Sequence, residues 1–234
     1  RELDGDKSPY TQISGAWGKL KETFRLSSEV TNISQNFQEE FLKKKYDKDE
    51  ILLATEQLSL ELSHSTITYY FMNNFDVSFI IETYKNFLEK NLLHENDACF
   101  LGGRISSLRI IDKSIRDKFH QKTKTMFETQ EIYNFLRALH KNDDKKFEEE
   151  IKNIRRNKKF HFWNNSGLLK LSTIHSFKGW EIDTLFLIIE NPNFLTEDDE
   201  QDELIYTAIT RCRNNLIVFN IGNTRYHDFF SRNS

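Results

Sequence analysis

Residues 168–189 read LLKLSTIHSFKGWEIDTLFLII, and the order of apolar and polar residues in this stretch decides the fold. Two apolar runs, 168–174 and 185–189, flank a polar segment. Near-continuous apolar runs are typical of strands that are buried on both faces of a parallel sheet. The stretch therefore predicts two buried strands joined by a polar connection.

The rest of the chain alternates between helical and strand patterns around this stretch. Apolar residues at helical spacing predict a helix that begins at Ser27, a short C-terminal helix, and helices over 77–93, 108–119, 132–141, 147–155 and 202–212. β-branched and aromatic runs predict further strands at 65–72, 97–101 and 216–221. This alternation predicts an α/β fold with a mostly parallel sheet flanked by helices.

Composition sets limits on the class of protein. The 234 residues are enough for a substantial core, in one large domain or two small ones. No run of about 18 apolar residues occurs, so we expect no membrane span. The formal net charge is −3, whereas a dedicated duplex-DNA binder is usually basic. A groove shared with another domain, which needs only a few local contacts, stays compatible with this charge.

The two cysteines, Cys99 and Cys212, are far apart and have apolar neighbours. Their spacing does not fit a metal site. We expect buried free thiols and a cytoplasmic protein, because the cytoplasm is reducing.

The polar segment at 173–181 carries side chains suited to ligand binding. Thr173 and His175 can donate hydrogen bonds to phosphates, and Gly179 permits tight backbone geometry. Glu181 can accept hydrogen bonds from a ribose hydroxyl or pair with a lysine. Ligands of open α/β sheets bind beyond the carboxyl ends of the strands, so we expect 175–181 to lie at that edge. The alternative interpretation is an ordinary connecting loop.

Residues 206–213 read YTAITRCR and end the helix predicted at 202–212. The buried stripe of that helix is formed by Leu204, Ile205, Ala208, Ile209 and Cys212. Arg211 lies beside this stripe, near the helix end. Its guanidinium can interact favourably with the negative end of the helix dipole. Alternatively, it can act as an arginine finger that neutralises charge on a transferred phosphoryl group.

Residues 24–30 read FRLSSEV, in which Ser27 and Ser28 can cap a helix. Arg25 directly precedes that helix start and is well placed to meet an anion.

In this order, segments 24–30, 172–181 and 206–213 resemble motifs IV, V and VI of superfamily 1 helicases of the UvrD/Rep type. The resemblance implies a RecA-like P-loop NTPase fold. In that family the motor has two RecA-like domains with ATP bound in the cleft between them, and this chain resembles the second domain. It departs from the family at Trp180, where a smaller apolar residue is frequent.

The resemblance also implies roles for particular residues. Arg25 and Arg211 would contact the γ-phosphate of ATP as catalytic arginines. Glu181, Lys178 and Gly179 would form the rest of the ATP-binding set, with Glu181 on the ribose.

Thr173 and His175 would contact single-stranded DNA. The function implied is the C-terminal motor domain of an ATP-dependent DNA helicase or translocase. Two alternatives stay open: a non-catalytic scaffold with the shape of a helicase domain, and a nucleic-acid-binding module that acts without ATP.

The sequence contains no Gly-x-x-x-x-Gly-Lys-Ser/Thr loop and no Asp-Glu pair in a strand context. ATP and Mg²⁺ would therefore be bound mainly by an upstream RecA-like domain of the same polypeptide, and we expect no hydrolysis by this chain alone. The first residue is Arg1 and not Met, so we expect the chain to begin inside a longer protein. The expected organisation is a connector at 1–16 and the second RecA-like domain at 17–234, with a helical elaboration around 104–156.

An aromatic cluster at 160–163, Phe-His-Phe-Trp, follows the basic stretch 155–159. Aromatic rings beside cations can stack on exposed bases. The interpretation that we favour from sequence is a core contact with a solvated flank.

Overall fold

The computed structural model of the protein describes residues 22–23, 26–43, 53–54, 65–191 and 198–234. The connector expected at 1–16 and the predicted phosphate contact Arg25 lie outside these residues.

The described strands alternate with helices along the chain. The strands are β1 (Glu22–Thr23), β2 (Leu53–Ala54), β3 (Thr66–Met72), β4 (Ala98–Gly102), β5 (Thr123–Thr125), β6 (Leu169–Thr173), β7 (Ile182–Glu190) and β8 (Cys212–Ile221). The helices are α1 (Ser28–Phe37), α2 (Val77–Lys90), α3 (Ile105–Phe119), α4 (Gln130–Leu139), α5 (Asp144–Phe160), α6 (Asp198–Ile209) and α7 (His227–Arg232). None of the helices described is long and apolar enough to span a membrane.

Six strands form one parallel sheet in the order β3-β8-β7-β4-β6-β5, while β1 and β2 form a separate short parallel pair. The predicted α/β fold with a parallel sheet is confirmed. β5 was not predicted, because its sequence Thr-Lys-Thr is too short and polar to show a strand pattern.

The central strands are buried on both faces, as their apolar runs predict. On β7, Leu185 and Leu187 face the core cluster shared with α1 and α6. Phe186 and Ile188 face the opposite cluster, shared with α2 and α3. The sheet therefore lies between two helical layers. The faces of the sheet are covered, and candidate binding residues are found where its strands begin and end.

The start of α1 is confirmed at the predicted place, because Ser27 caps the helix by accepting a hydrogen bond from the Val30 amide at 3.3 Å. The predicted end of α6 is wrong. The helix was expected to reach Cys212 but ends at Ile209. Cys212 instead begins β8, which pairs with β7 from Ile182 onward, and this sheet pairing overrides the helical pattern.

Helices α3, α4 and α5 occupy the region of the expected helical elaboration. A small core of Leu136, Phe147 and Ile151 joins α4 to α5. Beside it, the fully buried Glu128 pairs with Arg109 and Arg155. This ion cluster fastens the α4–α5 hairpin to α3.

Candidate functional site

Arg211 lies in the turn between α6 and β8, not on the helix. Its amide donates to the carbonyl of Ala208 at 3.0 Å, and its carbonyl accepts from the amide of Ile182 at 3.0 Å. The backbone of Arg211 is therefore held by the end of α6 on one side and by the start of β7 on the other. The residue is half-buried at the edge of the sheet where β7 and β8 begin.

Glu181 directly precedes β7 and lies at this same amino edge. Its carboxylate accepts from Arg213 Nη2 at 3.2 Å and from Arg213 Nε at 3.3 Å. Its carbonyl accepts from Asn164 Nδ2 at 2.9 Å. The side chain of Glu181 is 15% exposed and that of Arg213 is 48% exposed, so the pair stands at the surface and can exchange partners with a ligand.

A cavity of about 300 Å³ opens beside Glu181. Its lining includes Trp163, Trp180, Asp97 and Asp183, together with Glu181 itself. Burial raises the pKa of Asp183, and the charge of Asp97 raises it further, while Arg213 opposes this effect. The cavity is thus polar, acidic and walled by two indole rings.

Thr173 and His175 lie at the other end of the sheet, where β6 ends. The Thr173 hydroxyl donates to Ser176 Oγ at 2.9 Å and accepts from the Ser176 amide at 3.3 Å. These bonds stabilise the short 3₁₀ turn His175–Phe177. His175 is exposed on this turn, while Thr173 is half-buried.

The residues from Phe177 to Trp180 form a type II turn. The Trp180 amide donates to the Phe177 carbonyl at 3.0 Å, and Lys178 has φ −55° and ψ 128°. Gly179 has φ +94°, a value that L side chains rarely adopt and that the third position of this turn requires. Lys178 and Gly179 are both exposed.

The predicted location of the whole segment 175–181 at the carboxyl edge is wrong. Thr173 pairs with Gly102, and Gly102 pairs with Ile188. Ile188 lies seven positions after Glu181, a span of about 20 Å along a strand. Residues 174–181 form a crossover from the end of β6 to the start of β7. The segment therefore begins at the carboxyl edge of the sheet and ends at the amino edge.

The structure therefore places the predicted residues that it describes at three locations. Arg211 and Glu181 lie at the amino edge, Thr173 and His175 lie at the carboxyl edge, and the turn with Gly179 lies on the crossover between them. Arg25 lies outside the residues that the structure describes. Ser27, two positions later, donates from its amide to the Arg213 carbonyl at 2.8 Å, so α1 begins beside the amino-edge group.

Sequence reasoning missed the partners of Glu181. Arg213 belongs to the quoted segment 206–213, and an arginine two positions after Arg211 was a usable signal. Asn164 and the acidic residues of the cavity had no signal, because they come from separate connections that only the fold brings together. Within the described ranges, no group of three histidine, cysteine or acidic residues is arranged to hold a metal ion.

Comparison with known proteins bears on the fold of this chain and on the segment 168–219. A search of curated protein sequences found no match. Among solved structures, the chain is similar to the crystal structure of the C-terminal domain of a possible DNA helicase from Lactobacillus plantarum. The similarity has a TM-score of 0.50 and 10% sequence identity, and it covers 91% of this chain and 94% of that one. At this identity it shows a shared fold.

A family model matches residues 168–219, from the approach to β6 through most of β8. The matched segment contains the predicted site residues except Arg25. The resemblance predicted from motifs is confirmed over this segment: residues 168–219 match the UvrD-like helicase C-terminal domain.

Proposed function

We propose that this chain is the second motor domain of an ATP-dependent DNA helicase or translocase. In this proposal Arg211 and Arg25 act on the γ-phosphate of ATP, while Glu181, Lys178 and Gly179 form the remainder of its contact surface. The observation that carries the proposal is the hydrogen bond that joins Arg211 to Ile182, because it holds the arginine beside Glu181 at one edge of the sheet.

The chemistry of these side chains suits a nucleotide. A guanidinium offers a planar fork of donors that matches phosphoryl oxygens, and it remains charged at any working pH. Glu181 can exchange Arg213 for a ribose hydroxyl, because an ionised carboxylate only accepts hydrogen bonds. Mg²⁺ would supply positive charge that offsets the charge of the phosphates. We assign Mg²⁺ and the other phosphate contacts to a first RecA-like domain, because this sequence has no Walker A loop.

Single-stranded DNA is the second ligand of the proposal. His175 is exposed at the carboxyl edge of the sheet, and the Thr173 hydroxyl holds the turn that carries it. Imidazole and hydroxyl groups bind phosphates and sugars without reading base sequence. A translocase requires this kind of contact, because it must bind every position along a strand.

The crossover at 174–181 supplies a route for coupling between the two ligands. It is one short segment with Thr173 before it and Glu181 at its end. In the proposed cycle, ATP draws Arg211 toward the first domain, and hydrolysis removes that attraction. A ligand shifts such an equilibrium only through its difference in affinity for the two states. The crossover would transmit this difference to the DNA edge.

The test is ATP hydrolysis by the full-length protein, with and without single-stranded DNA. For Arg211→Ala we expect DNA-stimulated turnover to fall by roughly 10³, as is typical for loss of an arginine finger. Arg211→Lys should also be strongly impaired, because a lysine keeps the charge but not the fork. Arg232→Ala is the matched control, since Arg232 is 62% exposed and pairs with Glu40 at the surface.

Unchanged turnover in Arg211→Ala would remove the arginine from the mechanism. A folded wild-type protein that hydrolyses no ATP, with or without DNA, would favour the non-catalytic scaffold. Tight, salt-sensitive DNA binding without any hydrolysis would favour a binding module.

A further inference from the structure

We propose that the C-terminal half of α5 and the loop after it bind single-stranded nucleic acid through a second surface. We call it the α5 surface and define it by Lys152, Arg156, Lys159, Phe160 and Trp163. The proposal deepens the proposed function and rests on it for the choice of polymer. The α5 surface is separate from the contacts assigned to Thr173 and His175.

Charge is the first argument. Residues 151–163 contain five lysines and arginines and no acidic residue, within a chain of net charge −3. Two of these five cations are used inside the fold. Arg155 binds the buried Glu128 at 2.7 and 2.9 Å, and Lys158 donates to Thr125 Oγ1 at 2.8 Å. For the side chains of the other three, no hydrogen bond or ion pair occurs among the residues that the structure describes.

These three cations share one face of the helix. Lys152, Arg156 and Lys159 are all exposed, and their positions i, i+4 and i+7 place them in a row along α5. A row of cations with a spacing of roughly one helical turn, about 5 Å, suits the repeated phosphates of an extended strand. Cations near the C-terminal end of a helix are also stabilised by the helix dipole. That effect is confined to the last turn, so it does not explain Lys152.

Exposed aromatic rings are the second, independent argument. Phe160 is 83% exposed and Trp163 is 62% exposed, whereas Phe162 between them is 5% exposed. Phe162 packs edge-on against Phe177 and Trp180, with ring centroids 6.3 and 5.6 Å apart. The favoured sequence interpretation, a core contact with a solvated flank, therefore holds for Phe162 but leaves two large rings in solvent.

Together the rings and cations select the ligand. Aromatic rings beside a basic row stack on bases while the cations follow the phosphates, and stacking accepts any base sequence. Paired bases inside a duplex do not offer their faces to such rings. The area of two rings is also small for a protein interface, which usually buries about 800 Å² on each partner. Single-stranded nucleic acid is the ligand that uses both features.

The position of Trp163 links this surface to the nucleotide edge. Trp163 lines the cavity that also contains Glu181 and Asp183. A base stacked on Trp163 would therefore lie next to the residue assigned to the ribose.

The test is the affinity of the 234-residue chain for a fluorescein-labelled dT12 strand, measured by fluorescence anisotropy from 20 to 200 mM salt. For Phe160→Ala/Trp163→Ala we expect affinity to fall at least tenfold, with an unchanged salt slope. For Lys152→Gln/Arg156→Gln/Lys159→Gln we expect the slope of log K against log salt to become shallower by about 2.

Matched controls come from the same hairpin. Phe135→Ala/Leu139→Ala removes two apolar side chains of α4 that are 65% and 59% exposed, with no basic row beside them. Lys141→Gln/Lys145→Gln/Lys146→Gln removes three exposed cations, one just before α5 and two in its first turn. Both controls should bind dT12 like the wild type.

Several outcomes would overturn the proposal. They are equal losses in the α5-surface variants and in their controls, equal affinity for dT12 and for a 12-base-pair duplex, and no binding of dT12 by the wild-type chain. Loss of binding in His175→Ala alone would also overturn it while leaving the proposed function intact. Failure of the proposed function would show separately, as absent ATP hydrolysis by the full-length protein.

Discussion

Gly179 is a residue at which the backbone alone imposes the choice of amino acid. A Cβ added there meets no atom within 4 Å, so the constraint is its φ of +94° and not space. We predict that Gly179→Ala lowers the free energy of unfolding by about 1–2 kcal/mol, the usual cost of an L residue in the left-handed region. Chemical denaturation measures this change.

Gly103 provides the control for this substitution. A Cβ at Gly103 also meets nothing within 4 Å, but its φ lies outside the left-handed range. Gly103→Ala should leave stability unchanged or raise it slightly, because alanine restricts the unfolded chain. Equal losses at the two positions would show that φ at Gly179 is not what matters.

Glu128 is a buried charge whose stability contribution depends on pH. Burial alone would raise its pKa, but hydrogen bonds from Arg155 and the backbone, with the charges of Arg155 and Arg109, bring it below the usual value. A carboxyl whose pKa is lower in the folded state stabilises the fold above its unfolded pKa of about 4.3. This contribution is lost as the pH falls through the folded pKa.

We therefore predict that Glu128→Gln lowers the free energy of unfolding by about 3 kcal/mol at pH 7, because two arginines lose their buried partner. The gap between wild type and variant should narrow below about pH 4. Denaturation at several pH values measures both effects. Glu131→Gln is the control, with an expected loss under about 1 kcal/mol, because Glu131 pairs with Arg116 while 51% exposed. A gap that stays constant from pH 7 to pH 3 would contradict the assigned linkage.

Helix α6 must be held in place, because the turn with Arg211 follows directly from its end. Asp202 on α6 is 1% exposed and accepts from Arg225 at 2.7 and 3.1 Å and from the Tyr226 hydroxyl at 2.7 Å. Asp202 therefore fastens α6 to the 3₁₀ turn Thr224–Tyr226 that precedes α7.

We predict that Asp202→Asn lowers the free energy of unfolding by about 2 kcal/mol, because a charge-assisted bidentate contact is lost in a buried setting. Thermal or chemical denaturation provides the measurement. Asp228→Asn is the control, because Asp228 is exposed at the start of α7. A loss no larger than in Asp228→Asn would mean that other contacts position α6.

The elements also show which features the sequence could predict. Apolar runs predicted β7 and its burial on both faces, because side chains on both sides of a central strand pack against helical layers. The end of α6 was predicted wrongly, because residues 210–212 continue the helical pattern of apolar residues. In the structure Cys212 pairs with Ile182 in the sheet instead. The crossover was missed for a related reason. No local pattern reveals that the strand after 174–181 lies two places away from β6 in the sheet, with β4 between them.

The predicted ligand contacts Arg211 and Glu181 lie at one end of the sheet, and Thr173 and His175 lie at the other. Every residue of β4 is buried, and β4 joins β6 to β7. In the described part of the chain, the crossover 174–181 runs directly from one set to the other. The separation of about 20 Å is too long for one side chain to contact both ligands. Residues that belong to the same motif, such as Thr173 and Glu181, should therefore contact different ligands.

We predict that substitutions at the two edges separate two binding reactions of the full-length protein. Glu181→Ala should weaken ATP binding roughly tenfold, because one hydrogen bond to a charged group is lost, and should leave DNA affinity without ATP within about twofold. His175→Ala should do the reverse. Because coupling between sites is reciprocal, either variant should alter the effect of each ligand on the other by the same factor. If Glu181→Ala weakened DNA binding without ATP as much as His175→Ala does, the two edges could not be separate sites.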